Sequence, residues 1–84
     1  GEAAVAGMLE SGDREMTIAA LAVLSGLKVG SVRSVITNRS AKGMTAVSWK
    51  AGLSAKIAET LQKNIVLIAS SEVLRAKDGG YALD

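Results

Sequence analysis

The chain has 84 residues, ten of them basic and eight acidic, for a formal charge of +2, and 49% of it is apolar. There is one Trp, one Tyr, no Phe, no Cys and no His. That length predicts one domain near the size where a single core is only marginally sufficient, and the core must come from Ala, Val, Leu, Ile and Met. Small aliphatic side chains each bury less area than aromatic ones, so a homodimer interface or a larger parent protein is expected to supply the missing burial. Without cysteine there is neither a disulfide nor a thiolate metal site, and without histidine the commonest general base and metal ligand are gone; no cofactor is expected. The longest apolar runs, residues 18–24 and 65–69, fall short of the roughly 18 residues of a membrane span. No secretory leader precedes them, so the expected location is cytoplasmic and no membrane partner is expected. Gly1 stands where an initiator Met would, which leaves open whether one was removed or the chain was cut from something longer.

Residues 1–15, GEAAVAGMLESGDRE, begin with a weakly amphipathic segment in which Val5, Met8 and Leu9 share a face. A short helix is predicted there, followed by a turn at Ser11-Gly12-Asp13. Thr17 then suits the N-cap of a second helix running to about Ser25.

Residues 17–38, TIAALAVLSGLKVGSVRSVITN, hold two helical patterns that meet at a glycine. Leu21, Ala22 and Leu24 lie on one side of the first, and Val32, Val35 and Ile36 on one side of the second. Gly26 can take the left-handed conformation that ends a helix, Leu27 can plug the gap, and Ala22 is small enough for a close crossing. Ala22, Gly26, Leu27 and Val32, flanked by Leu21 and Val35, resemble the helix-turn-helix DNA-binding family. The resemblance implies a recognition helix over residues 28–38 that lies in the major groove, with the first helix of the chain covering the open side of the pair. Lys28 stands where that family often has a Ser or Thr cap. Gly30 inside the helix costs about 1 kcal/mol relative to Ala, so the helix starts at Lys28 or nearer Ser31.

With Val32, Val35 and Ile36 turned inward, the outward set is Gly30, Ser31, Arg33, Ser34 and Thr37, with Lys28 before them and Asn38 and Arg39 after. Hydroxyl and amide groups can bond to phosphates or base edges, Arg33 can fork onto guanine, and Gly30 allows a close backbone approach. The plainer reading is a solvated helix face. No acid occurs over residues 16–58, while Lys28, Arg33, Arg39, Lys42, Lys50 and Lys56 fall inside that window. Such a strip would attract a polyanion.

Residues 40–52, SAKGMTAVSWKAG, break the helical period and carry two glycines. They are expected to form a loop with a short strand at residues 45–49, and Trp49 to act as a lid on the core. Ser54 suits the N-cap of a further helix, or two consecutive ones, in which Ile57, Leu61, Ile65 and Ile68 recur at helical spacing; Asn64 is the point of interruption, and residues 65–68 would also suit a buried strand. The tail, VLRAKDGGYALD, has turn chemistry at Asp78-Gly79-Gly80 and is expected to form a β-hairpin. It resembles the wing of winged-helix DNA-binding domains, with Arg75 and Lys77 as the phosphate-grazing cations.

Enzyme chemistry is not expected. Ser25-Gly26-Leu27-Lys28 matches the S-x-x-K pattern of serine β-lactamases, but the companion Ser-Asp-Asn and Lys-Thr-Gly motifs are missing and the chain is too short. There is no phosphate loop, catalytic carboxylate pair or metal-ligand cluster. The expectation is a mainly α, helix-turn-helix bundle with a short C-terminal β-hairpin, binding double-stranded DNA as a bacterial or phage-like transcriptional regulator and acting as a homodimer. Its surface would comprise Lys28, Gly30, Ser31, Arg33, Ser34, Thr37, Asn38, Arg39 and Lys42. The alternative is a helical interaction or assembly module of a larger protein that uses the apolar face of residues 57–68.

Overall fold

The computed structural model describes residues 1–76, 80 and 81, and shows a mainly α bundle in which five helices enclose one core, with no sheet among the described residues. The helices are α1 (Glu2–Ser11), α2 (Arg14–Ser25), α3 (Val29–Thr37), α4 (Ala41–Lys50) and α5 (Ala55–Asn64), followed by a 3-10 turn, Ser70–Glu72. Val5, Ile18, Leu21, Val32, Met44 and Leu61 are almost wholly buried and come from all five helices, so the core is continuous. α2 packs against α1, α3 and α4, while α5 closes the bundle against α4 and α1. Thr45 and Ser48 help fill that interior without any Phe.

Helix α2 starts four residues earlier than the sequence suggested. Asp13, not Thr17, is its N-cap and accepts a hydrogen bond from the Met16 backbone N–H at 3.0 Å. Thr17 is buried one turn inside, where its hydroxyl donates to the Asp13 carbonyl at 2.8 Å. The polar stretch before it is thus the first turn of the helix rather than a linker, because an Asp cap outweighs a missing apolar period there.

Residues 40–52 are not a loop with a strand; residues 41–50 form α4. Ser40 caps it, its hydroxyl accepting from the Gly43 N–H at 2.8 Å. The helical period is hidden in the sequence because two of its four buried positions are polar, Thr45 and Ser48 beside Met44 and Val47. Each hydroxyl returns its proton to the carbonyl four residues back, Thr45 to Ala41 and Ser48 to Met44, both at 2.8 Å. A satisfied hydroxyl can be buried at little cost. Gly43 is required by space: a Cβ there would come within 2.8 Å of the Ser40 Oγ and 3.1 Å of a Val35 methyl, so the glycine lets α4 start directly against α3. Trp49 is 61% exposed and is not a lid on the core.

Ser54 caps α5 as its position suggested, accepting from the Ile57 N–H. The helix ends at Asn64, and residues 65–68 continue as irregular chain rather than as helix or strand. Ile65 and Val66 are nevertheless buried, and Leu61 and Ile65 turn into the core with Ile57 and Ile68 packed beside them, so this apolar face is already covered within the bundle. Gln62 is fully buried and ties down the segment that follows: its amide donates to the Leu74 carbonyl at 2.9 Å, and its carbonyl oxygen accepts from the Leu74 N–H at 2.7 Å. The expected hairpin turn was Asp78-Gly79-Gly80; Asp78 and Gly79, like Lys77, lie outside the described residues. Arg75 is described and pairs with Glu59.

Candidate functional site

Helices α2 and α3 meet as the sequence implied. Gly26 has φ 75 and ψ 8, its N–H bonds the Ala22 carbonyl at 3.0 Å, and Leu27 is half-buried beneath the turn. Helix α3 begins at Val29, between the two starts considered. Lys28 is its N-cap in extended conformation and makes no side-chain cap bond. Its lack of a hydroxyl is therefore tolerated, not compensated.

All nine residues of the expected DNA-facing surface, Lys28, Gly30, Ser31, Arg33, Ser34, Thr37, Asn38, Arg39 and Lys42, are exposed. Val32 and Ile36 are buried and Val35 is half-buried, so the inward and outward faces of α3 are assigned correctly. Two of its four cations are occupied. The Arg33 guanidinium forks onto the Glu15 carboxylate of α2, one arm at 3.1 Å and the other shorter. That pairing holds the Glu15 carboxyl below the ordinary glutamate range, chiefly through the hydrogen bond from Arg33. Glu15 lies one residue before the acid-free window, so the charge that neutralises Arg33 comes from outside the stretch that looked uniformly basic. Arg39 has a left-handed backbone, φ 50, and its guanidinium donates to the carbonyl of Leu67, which is itself at φ 62. These two residues, with Glu72, border an open groove of about 340 Å³. Lys28 and Lys42, with Lys50 and Lys56 further on, are exposed.

The turn geometry is not peculiar to α2 and α3. Between α4 and α5 the chain runs Gly52-Leu53-Ser54, with Gly52 at φ 76, Leu53 buried, and Ser54 as an extended N-cap, the same arrangement as Gly26-Leu27-Lys28. In each hairpin the glycine supplies the left-handed residue, the leucine fills the angle between the helices, and the third residue starts the next helix. A turn used twice in one chain is a way of packing helical hairpins before it is a signature of any ligand.

A different surface is disclosed by α2. Its inner side buries Thr17, Ile18, Leu21, Ala22 and Ser25; its outer side carries Met16, Ala19 and Val23 at helical spacing, with Ala20 half-buried at its edge and no polar side chain among them. Met16 is 52% exposed and Val23 81%. The signal was present in the sequence: over residues 16–24, MTIAALAVL, only Thr17 is polar. A helix apolar all round leaves one side uncovered whichever way it docks, unless it lies at the centre of a larger assembly.

Among the described residues no set of His, Cys, Asp and Glu is placed to hold a metal ion, and no helix is long and apolar enough to cross a membrane. The fold and its surfaces define a small, mainly α bundle of capped helical hairpins with an uncovered apolar helix face among the described residues. The chain belongs to a bacterial family described as "uncharacterised protein conserved in bacteria (DUF2336)", whose family model matches residues 1–81. No curated protein and no solved structure matches it.

Proposed function

We propose that this domain is a helical protein–protein interaction module whose contact surface is the outer face of α2. The observation that carries this reading is the Met16, Ala19, Ala20, Val23 stripe, with Val23 81% exposed. Burying a valine or methionine fully stabilises by about 1.5–3 kcal/mol, a gain left unused on this face unless another surface covers it. The face used is not the one over residues 57–68, which is occupied inside the bundle. The stripe also bears on nucleic acid. In a helix-turn-helix the first helix of the pair crosses the phosphate backbone, and a face of Met, Ala and Val offers phosphates neither charge nor hydrogen bonds.

Double-stranded DNA binding through α3, as a transcriptional regulator, is the second reading. It is favoured by the exposure of all nine residues from Lys28 to Lys42 named above and by the acid-free run around them. A photoreactive amino acid placed in living cells at Val23 in one variant and at Thr37 in another separates the two. The interaction reading expects a discrete protein adduct from position 23 and none from position 37. A DNA adduct from position 37, with none from position 23, overturns it in favour of DNA. The DNA reading also requires duplex affinity to fall steeply with salt, by about one unit of log–log slope per phosphate contact, with Lys42→Ala removing about one such contact.

A further inference from the structure

We infer that the occupant of the α2 face is a second copy of this chain, with the two α2 helices packed antiparallel across a twofold axis; this rests on the interaction reading above. The stripe is self-complementary about its own middle. Ala19 and Ala20 are adjacent at the centre, Met16 lies before them and Val23 after; Met16, Ala19 and Val23 are exposed, and Ala20 is half-buried at the edge of the face, where it also packs on the core. A twofold axis through the midpoint of the two alanines sets Met16 of one copy against Val23 of the other at both ends. The alanines meet where the helices cross and let the backbones approach to the near end of the roughly 8–10 Å range of packed helices. Two large side chains flanking two small ones then fill the space to either side, as an isologous contact requires.

Charge placement selects both the partner and the direction. Around the N-terminal end of α2 the surface is weakly acidic, with Glu10 in the last turn of α1 and Asp13, the cap of α2, both exposed. Arg33 is offset by Glu15, which leaves these two acids against one exposed cation, Arg14, whose guanidinium donates to the neutral Ile65 carbonyl at 3.1 Å. The C-terminal end is basic, because Lys28 is exposed there immediately after the Gly26 turn. Antiparallel pairing brings the acidic end of each α2 to the basic end of its mate, and also opposes the two helix dipoles. Parallel pairing would stack Glu10 and Asp13 on their own counterparts. A second copy thus carries, on one surface, the same apolar pattern and charges complementary to those at the two ends of this face.

The test uses the purified 84-residue chain in sedimentation equilibrium from micromolar to millimolar concentration. The expected result is a concentration-dependent rise from 8.6 kDa to twice that mass. Val23→Lys should raise the dimer dissociation constant at least tenfold, with an unchanged thermal melt at concentrations where the parent is monomeric. Because the chain has no cysteine, single replacements report the direction. Under mild oxidation, an equimolar mixture of Met16→Cys and Val23→Cys chains should give mainly mixed disulfide dimers. A chain that stays monomeric to millimolar concentration, a dimer indifferent to Val23→Lys, or a preference of Met16→Cys for its own kind each overturns the proposal. A monomer in solution that still gives a heterologous protein adduct from position 23 in cells refutes only the second-copy assignment; no adduct at all refutes the interaction reading with it.

Discussion

Replacing Gln62 by Leu tests how the C-terminal segment is held, and the structure sets both the size and the form of the effect. Leucine conserves the volume of a side chain that is fully buried but removes both hydrogen bonds to Leu74. If the segment stayed docked, the N–H and carbonyl of Leu74 would lose those partners in a partly buried site, at about 1–3 kcal/mol each. Undocking instead forfeits burial of Val73, worth about 1.5–3 kcal/mol, and two hydrogen bonds of about 0.5–1.5 kcal/mol net. It also recovers about 1–2 kcal/mol of backbone entropy for each of the few residues released. Undocking is the cheaper route, and the expected loss in denaturant-unfolding stability is about 1–3 kcal/mol. A second readout follows from Glu59, whose carboxylate accepts from the Ala76 N–H at 2.8 Å and from Arg75 at 3.3 Å. The Ala76 bond is the main reason its carboxyl is held below the ordinary glutamate range. A carboxyl lowered in the folded state stabilises the fold above its unfolded pKa, and that contribution is lost as pH falls through the folded value. In Gln62→Leu the Glu59 carboxyl, followed by NMR, should therefore titrate higher than in the parent, and its share of the acid destabilisation should vanish. Stability within about 0.5 kcal/mol of the parent, or an unmoved Glu59 titration, would refute this account of the tail.

Two further substitutions separate backbone, core and surface effects. A Cβ on Gly26 meets nothing within 4 Å, so its φ of 75 alone sets the penalty; Gly26→Val should cost more than about 1 kcal/mol in urea unfolding, and Gly26→Asn less, because Asn tolerates the left-handed region. An unchanged midpoint for Gly26→Val would contradict the turn. Arg33→Ala should change stability by less than about 0.5 kcal/mol while the Glu15 titration moves up toward its ordinary range, since the pair lies at the surface. The neighbouring Val32→Ala, at a fully buried position, should cost about 1–3 kcal/mol by the same denaturation assay.

Wherever short-range chemistry decides, the sequence by itself was sufficient. The mainly α class, the left-handed turn at Gly26, the caps at Ser54 and the inward set Val32, Val35 and Ile36 follow from periodicity and from what glycine and serine can do within four residues. Helix α4 was not legible, because its buried face uses Thr45 and Ser48, and only the backbone of an already formed helix satisfies their hydroxyls. The neutralisation of Arg33 by Glu15 spans 18 residues of sequence and exists only once α2 and α3 lie side by side. Even the Gly-Leu turn, legible at residues 26–27, took on a different meaning when the fold showed the same turn at residues 52–53. The apolar surplus of α2 was present in its letters, but a helix apolar on every side gives no sign of which side will be left over. Packing against α1, α3 and α4 made that choice: it buried Ile18, Leu21 and Ala22 and left Met16 and Val23 facing outward.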